Sequence, residues 1–137
     1  YVDKLKDMIK SFNLNKNIIF TGYLDENTEN IMKSLDLVVM ATRDYEGFGY
    51  TVAEAMSAGT PVLASKVGAI QEVMSLGEGG LFKPKSIDEL LKNLIDFNKN
   101  NNKWKKRAKD AEIKINKRFN SKKIAKEFRE YLIKQFN

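Results

Sequence analysis

Glu46-Gly47-Phe48-Gly49-Tyr50-Thr51-Val52-Ala53-Glu54-Ala55-Met56-Ser57-Ala58-Gly59-Thr60-Pro61-Val62-Leu63-Ala64-Ser65 reads as a glycine loop entering a helix that breaks at Ala-Gly-Thr-Pro into an apolar strand. Two carboxylates, Glu46 and Glu54, stand eight positions apart across the loop–helix junction. Glycines let backbone come close to a phosphate, and a helix start offers free N–H groups at the positive end of its dipole. A carboxylate on either side of the loop can accept hydrogen bonds from sugar hydroxyls. The stretch suits an anionic, hydroxyl-rich ligand, and a nucleotide-sugar better than a bare phosphate.

Outward from this stretch, strands alternate with helices. Asp36 to Ala41 is the clearest strand, continuously apolar as a parallel strand covered on both faces is. Asn17 to Gly22 also reads as a buried strand, Thr60 to Ser65 as a third, and Gly79 to Lys83 as a fourth closed by Pro84. Between them the spacing predicts helices from Asp25 to Leu35, Tyr50 to Ser57 and Ile70 to Met74. Ser86-Ile87-Asp88-Glu89 matches a capping box and opens a helix carrying Leu90, Leu91, Leu94, Ile95 and Phe97. Two more helices, Lys103 to Phe119 and Ser121 to Phe136, finish the chain after a polar joint at Asn98 to Asn102. The alternation argues an α/β fold, a Rossmann-like parallel sheet flanked by helices.

At 137 residues the chain is one domain, large enough to bury a good core, and 42% apolar against 31% charged residues is an ordinary globular balance. Zero cysteines and zero histidines exclude thiol nucleophiles, disulfides, histidine catalysis and the common zinc sites. No apolar run reaches the ~18 residues of a membrane span and no secretory signal is visible, while the absence of cysteine fits a cytoplasmic protein. The chain opens at Tyr1 inside a helical pattern (Val2, Leu5, Met8, Ile9, Phe12) with no cap, which points to a piece of something longer. The net charge of +6 is uneven: Lys99 to Lys126 holds twelve Lys/Arg against Asp110 and Glu112. Such a block attracts nucleic acid or an anionic membrane, or is simply a solvated helical face. Its apolar stripe (Trp104, Ala108, Ala111, Ile115, Phe119) favours the face, docked on the domain.

In open parallel sheets ligands bind beyond the carboxyl ends of the strands. The loop after Ala41 delivers Glu46 and Gly47-Phe48-Gly49 there, joined by Gly22-Tyr23-Leu24 and Ser65-Lys66-Val67-Gly68. Each feature taken singly has a plain alternative. Gly47 and Gly49 alone make a tight turn, Glu46 alone an exposed loop residue, and Glu54 alone a surface carboxylate near a helix start. Tyr50 reads equally as core or as lying over a ligand. Arg43 either neutralises phosphate or pairs with Asp44 or Glu46, and Lys66 is similar.

Together these residues resemble the donor-site signature of retaining glycosyltransferases with the GT-B fold, the glycosyl transferases group 1 family. Its pattern E-G-F-G-x-x-x-x-E-A-M-A-x-G-x-P-V-V-A matches Glu46 through Ala64 with conservative changes. Asn17 to Gly22 is similar to the family's N-V-x-F-x-G strand. Gly79-Gly80-Leu81-Phe82-Lys83-Pro84 is similar to its G-x-L-V-x-P turn, and Arg118 to Ala125 to its final helices.

The resemblance implies that residues 1–137 are the nucleotide-sugar-binding C-terminal domain of a two-domain GT-B enzyme, truncated at its N-terminus. Glu46 is then the catalytic-site residue, positioning the sugar and acting electrostatically, while the backbone of Gly47, Phe48 and Gly49 meets sugar and diphosphate. Tyr50 and Thr51 open the helix facing the diphosphate, Glu54 accepts from the ribose, and backbone near Tyr23 and Leu24 lies beside the base. No metal and no cofactor is expected, the helix dipole and basic side chains offsetting the diphosphate charge. The family's phosphate-clamping Arg and Lys, the first strand of this domain and the acceptor-binding N-terminal domain lie upstream of Tyr1. The chain alone is therefore expected to be inactive, weak in donor affinity and prone to self-association. The partners implied are a nucleotide-sugar and a cell-surface or lipid-linked glycan acceptor, with peripheral contact to the inner face of an anionic membrane and no nucleic acid. The alternatives are a sugar-nucleotide epimerase, a phosphorylase-like GT-B enzyme, or a non-enzymatic basic module on anionic membrane or nucleic acid.

Overall fold

Three parallel strands, β1 (Val38–Met40), β2 (Val62–Ser65) and β3 (Gly80–Phe82), form a sheet in the order β1-β2-β3 in the computed structural model, which describes residues 1–77 and 79–136. Val38 lies opposite Val62 and Met40 opposite Ala64, while Leu63 faces Gly80 and Ser65 faces Phe82. The helices are α1 (Val2–Ser11), α2 (Thr28–Ser34), α3 (Tyr50–Ser57), α4 (Ile70–Met74), α5 (Ile87–Lys99), α6 (Asn101–Arg118) and α7 (Ser121–Phe136). The expected α/β fold with a parallel sheet and flanking helices is the observed one.

β2 shows why its sequence is apolar at every position: all four of its residues are buried. Val62 and Ala64 join Val52, Ala55 and Met56 of α3, together with Ile70, Val73, Ala111 and Ile115, in the main core. Leu63 points the other way, into a second cluster with Phe82 and Trp104 that α5 lines with Leu90, Leu94 and Phe97. Alternation along one strand thus feeds two cores on the two faces of the sheet. The stripe predicted for α6 is buried at Trp104, Ala108, Ala111 and Ile115, so this helix is docked on the domain despite its charge.

At the α5–α6 joint, Trp104 Nε1 donates to Asp96 Oδ2 and Asn100 Nδ2 to Asp96 Oδ1, both at 2.8 Å. These two donors, Trp104 first, hold the Asp96 carboxyl below its ordinary range. The joint is sharper than the sequence suggested, because α5 ends at Lys99 and α6 begins at Asn101.

Three expectations are corrected. Asn17 to Gly22 forms no strand: it sits in turn and irregular backbone, with Ile19 84% exposed. An apolar run becomes a strand only beside an edge it can pair with, and no described strand lies next to it. β1 is covered on one face rather than two, since Val38 is buried while Val39 is exposed. The capping box is half formed: Ser86 accepts from Glu89 N, but the Glu89 carboxylate reaches back to Lys83 N at 2.6 Å instead of closing on Ser86.

Candidate functional site

The carboxyl ends of the strands carry loops that are bolted to one another. Ser65, fully buried at the end of β2, donates its hydroxyl to Thr42 O at 2.7 Å, which fixes the start of the loop after β1. Further along, Gly68 lies under Glu46: a Cβ at Gly68 would stand 1.9 Å from the Glu46 carbonyl oxygen, at a φ of +50° that side chains avoid. No residue but glycine fits this contact. The β2–α4 loop thereby sets the height of the Glu46 backbone.

Glu46 itself is half-buried, and its Oε1 accepts from Gly49 N at 3.1 Å. Gly49 is the N-cap of α3, with φ +84°, and provides no side-chain acceptor to the first helical turn. The amides of Tyr50, Thr51 and Val52 therefore open the helix uncapped by any side chain, the arrangement that receives an anionic group. Arg43 and Lys66 are both exposed. Arg43 lines a separate, mostly apolar cavity of about 370 Å³ with Phe82, Lys85 and Leu90. Asp44 takes Lys85 as its partner at 2.5 Å, and that ammonium holds the Asp44 carboxyl below its usual range.

Beside this helix start lies an open cavity of about 490 Å³. One wall is the outer face of α3, where Tyr50, Ala53, Glu54 and Ser57 follow one another at helical spacing. The first turn of α2 supplies Thr28 and Glu29 opposite, and the last turn of α6 with its C-cap supplies Ile115, Asn116 and Phe119. Phe48 closes the end: its ring lies 4.9 Å from that of Tyr50 and meets Phe119 edge-on at 5.3 Å. Ser57 donates to Asn116 Oδ1 at 2.5 Å and receives Asn116 Nδ2 on its carbonyl at 3.2 Å, so α3 and α6 are tied beside the cavity. Among the described residues no Lys or Arg lines it. Glu29 is paired with Lys33, which keeps its carboxyl below the ordinary range. Glu54 is exposed and is the carboxylate in the lining with no ion-pair partner among the described residues.

The structure thus brings Phe48, Tyr50 and Glu54 into one cavity, with Glu46, Gly47, Gly49 and Thr51 at or near the adjoining helix start. It leaves Tyr23 and Leu24 exposed and outside the cavity lining. Tyr50, open in sequence between core and ligand contact, is 73% exposed and therefore no core residue. Sequence reasoning missed the α6 wall, Asn116 and Phe119, because their helix was read as a charged, docked face and not as part of a site. The only signal was the apolar stripe ending at Phe119. Among the described residues no group of three or more metal-binding side chains comes together, and no helix is long and apolar enough to cross a membrane.

A family model described as "Glycosyl transferases group 1" matches residues 1–131. An uncharacterised glycosyltransferase of Methanocaldococcus jannaschii is 31% identical over 130 residues, 93% of this chain and 33% of its own length. A mannosylfructose-phosphate synthase of Agrobacterium fabrum is 38% identical over 82 residues, 59% of this chain and 18% of its own. Among solved structures, Anabaena HepE in complex with UDP superposes with a TM-score of 0.90 at 27% identity, covering 98% of this chain and 37% of HepE. The same protein has been solved with UDP-glucose, at a TM-score of 0.88. The chain spans from 18% to 37% of the length of these three relatives.

Proposed function

We propose, from the premise that this chain belongs to the glycosyl transferases group 1 family, that it is the nucleotide-sugar-binding part of a retaining glycosyltransferase. Its α/β sheet matches the Rossmann-like layer of GT-B structures. The observation that carries the reading is the pairing of an uncapped helix start with an adjoining cavity that holds no cation. A donor has one charged part and two uncharged ones. The diphosphate sits against the first-turn amides of α3, where the helix dipole favours it without a metal. The nucleoside lies in the cavity, where Glu54 accepts from the ribose hydroxyls. The transferred sugar lies toward Glu46 and the Gly47-Phe48-Gly49 backbone, and backbone near Tyr23 and Leu24 lies beside the base from outside the cavity lining.

In this arrangement Glu46 orients the sugar and stabilises positive charge developing at its anomeric carbon. Its bond to Gly49 N holds the carboxylate in place. HepE, a structural relative, is seen with UDP and UDP-glucose, so a uridine donor is the first to try. The acceptor is a cell-surface or lipid-linked glycan, bound through a second domain of the whole enzyme, which works in the cytoplasm at the inner membrane face. Catalysis requires both halves closed on the donor, so this chain alone transfers no sugar. An epimerase or phosphorylase-like enzyme uses the same crevice, and the acceptor assay of the whole enzyme separates these from transfer.

The test is ligand-observed NMR of the chain with UDP-, GDP- and ADP-sugars, repeated on Glu54→Ala. Binding of one nucleotide class, weakened about tenfold by the substitution, is the expected result. Binding that ignores Glu54 overturns the reading, as does salt-sensitive binding to DNA or anionic vesicles with no nucleotide response.

A further inference from the structure

We propose that the Tyr50 side chain is a donor-positioning platform on which the nucleoside base stacks, so that the aromatic wall, and not backbone polarity alone, holds the base. The inference rests on the donor-binding reading of the cavity and adds a residue role to it. Tyr50 was assigned above for its backbone position at the helix start; its ring is a separate matter.

The four other tyrosines, Tyr1, Tyr23, Tyr45 and Tyr131, are exposed as well, but none of them is placed for such a role. Tyr1, Tyr23, Tyr45 and Tyr131 are 94%, 92%, 83% and 59% exposed and lie outside the lining of this cavity. Tyr50 is 73% exposed, yet it lies in the wall of the 490 Å³ cavity and has a ring neighbour. Phe48 backs it at 4.9 Å, and Phe48 is in turn fixed edge-on by Phe119 at 5.3 Å. Phe119 belongs to the apolar stripe of α6, whose other members are buried in the core. The exposed ring is therefore the outermost member of an aromatic row anchored in the domain, set at 54° to Phe48 and open to the cavity. A side chain arranged in this way offers its free face at little further cost in rotamer entropy.

The chemistry of the open space selects what lands there. Tyr50 and Glu54 are four residues apart on one helix face, so their Cβ atoms lie about 5–6 Å from each other. That is the offset between a base and the hydroxyls of the ribose attached to it. With no cation in the lining, a phosphate gains nothing in the cavity, whereas a flat uncharged heterocycle gains stacking area. The base on Tyr50, the ribose on Glu54 and the diphosphate at the α3 amides then run in one continuous path.

The experiment compares UDP with ribose 5-phosphate, which lacks the base, on the wild-type chain and on Tyr50→Ala, Tyr50→Phe and Glu54→Gln. Tyr50→Ala is expected to weaken UDP about tenfold and ribose 5-phosphate less than twofold. Tyr50→Phe retains UDP binding within about twofold, because the ring and not the hydroxyl is at work. Glu54→Gln weakens both ligands. Saturation transfer from the protein is expected to be strongest at the uracil protons and to fall in Tyr50→Ala. Equal loss of both ligands in Tyr50→Ala, or no loss of either, overturns the platform while leaving the Glu54 response to support the donor site. If the wild-type chain binds neither ligand, the donor reading fails and the platform with it. Circular dichroism of each variant guards the comparison, since an exposed side chain should be replaceable without unfolding, and Tyr50→Phe provides a second, near-isosteric reading.

Discussion

The sheet with α3 and α6, and the two flanking segments α1 and α7, carry the same kind of pattern with opposite outcomes. In the first region the apolar positions of strands and helices are buried: Leu63, Val52 and Ile70 have no exposed surface. In the second no residue of either helix is buried, although both helices carry apolar stripes, with Phe12 just past α1 at 66% and Phe128 of α7 at 61% exposure. Periodicity marks a face that gains free energy when covered. It does not say whether the chain itself provides the cover. α6 shows the difference within one helix, because a run of lysines did not stop its stripe from docking once the sheet supplied a surface.

The comparison is sharpest in stability. Leu63→Ala removes a fully buried side chain of the central strand and is expected to cost about 2–5 kcal/mol, whereas Phe128→Ala on α7 should stay within about 0.5 kcal/mol. Urea unfolding of the two variants measures both. Comparable losses would mean that α7 is covered in solution, for instance by a second copy of the chain, which its light scattering would then reveal.

A smaller effect is expected where the packed region meets the site. Gly68→Ala places a methyl group on the Glu46 carbonyl at a positive φ, and a cost of about 1–3 kcal/mol follows. Because the loop must give way, nucleotide affinity should fall together with stability. A variant of native affinity would show that Glu46 does not depend on the β2–α4 loop.

Much of this was legible beforehand. Tyr50 to Ser57 and Ile70 to Met74 fall where spacing placed them, because apolar residues at helical intervals had a sheet to pack on. Asn17 to Gly22 read as a strand, less clearly than Asp36 to Ala41, but only the latter has a paired neighbour, and a missing neighbour leaves no trace in the run itself. In the site, the Glu46–Gly49 junction could be read because glycine and carboxylate chemistry is local. The α6 wall could not, because Asn116 reaches Ser57 across 59 positions and nothing near either residue announces the other.

The smallest effect concerns the α5–α6 joint. The Asp96 carboxyl is held below its usual range by Trp104 and Asn100, so its contribution is present above the ordinary aspartate value and is lost as pH falls below about 4. The emission of Trp104, the only tryptophan, should change in that window, and Asp96→Asn should abolish the step. A midpoint at or above the ordinary aspartate value would remove Asp96 from the account of how α6 is seated.

The most direct test of the central claim is a backbone amide spectrum of the chain titrated with UDP to millimolar concentration. The account predicts shifts concentrated in residues 47–54 with Thr28, Glu29 and Asn116, and little change along the outward lysines of α6 and α7. Shifts confined to those lysines, or none anywhere, would contradict it.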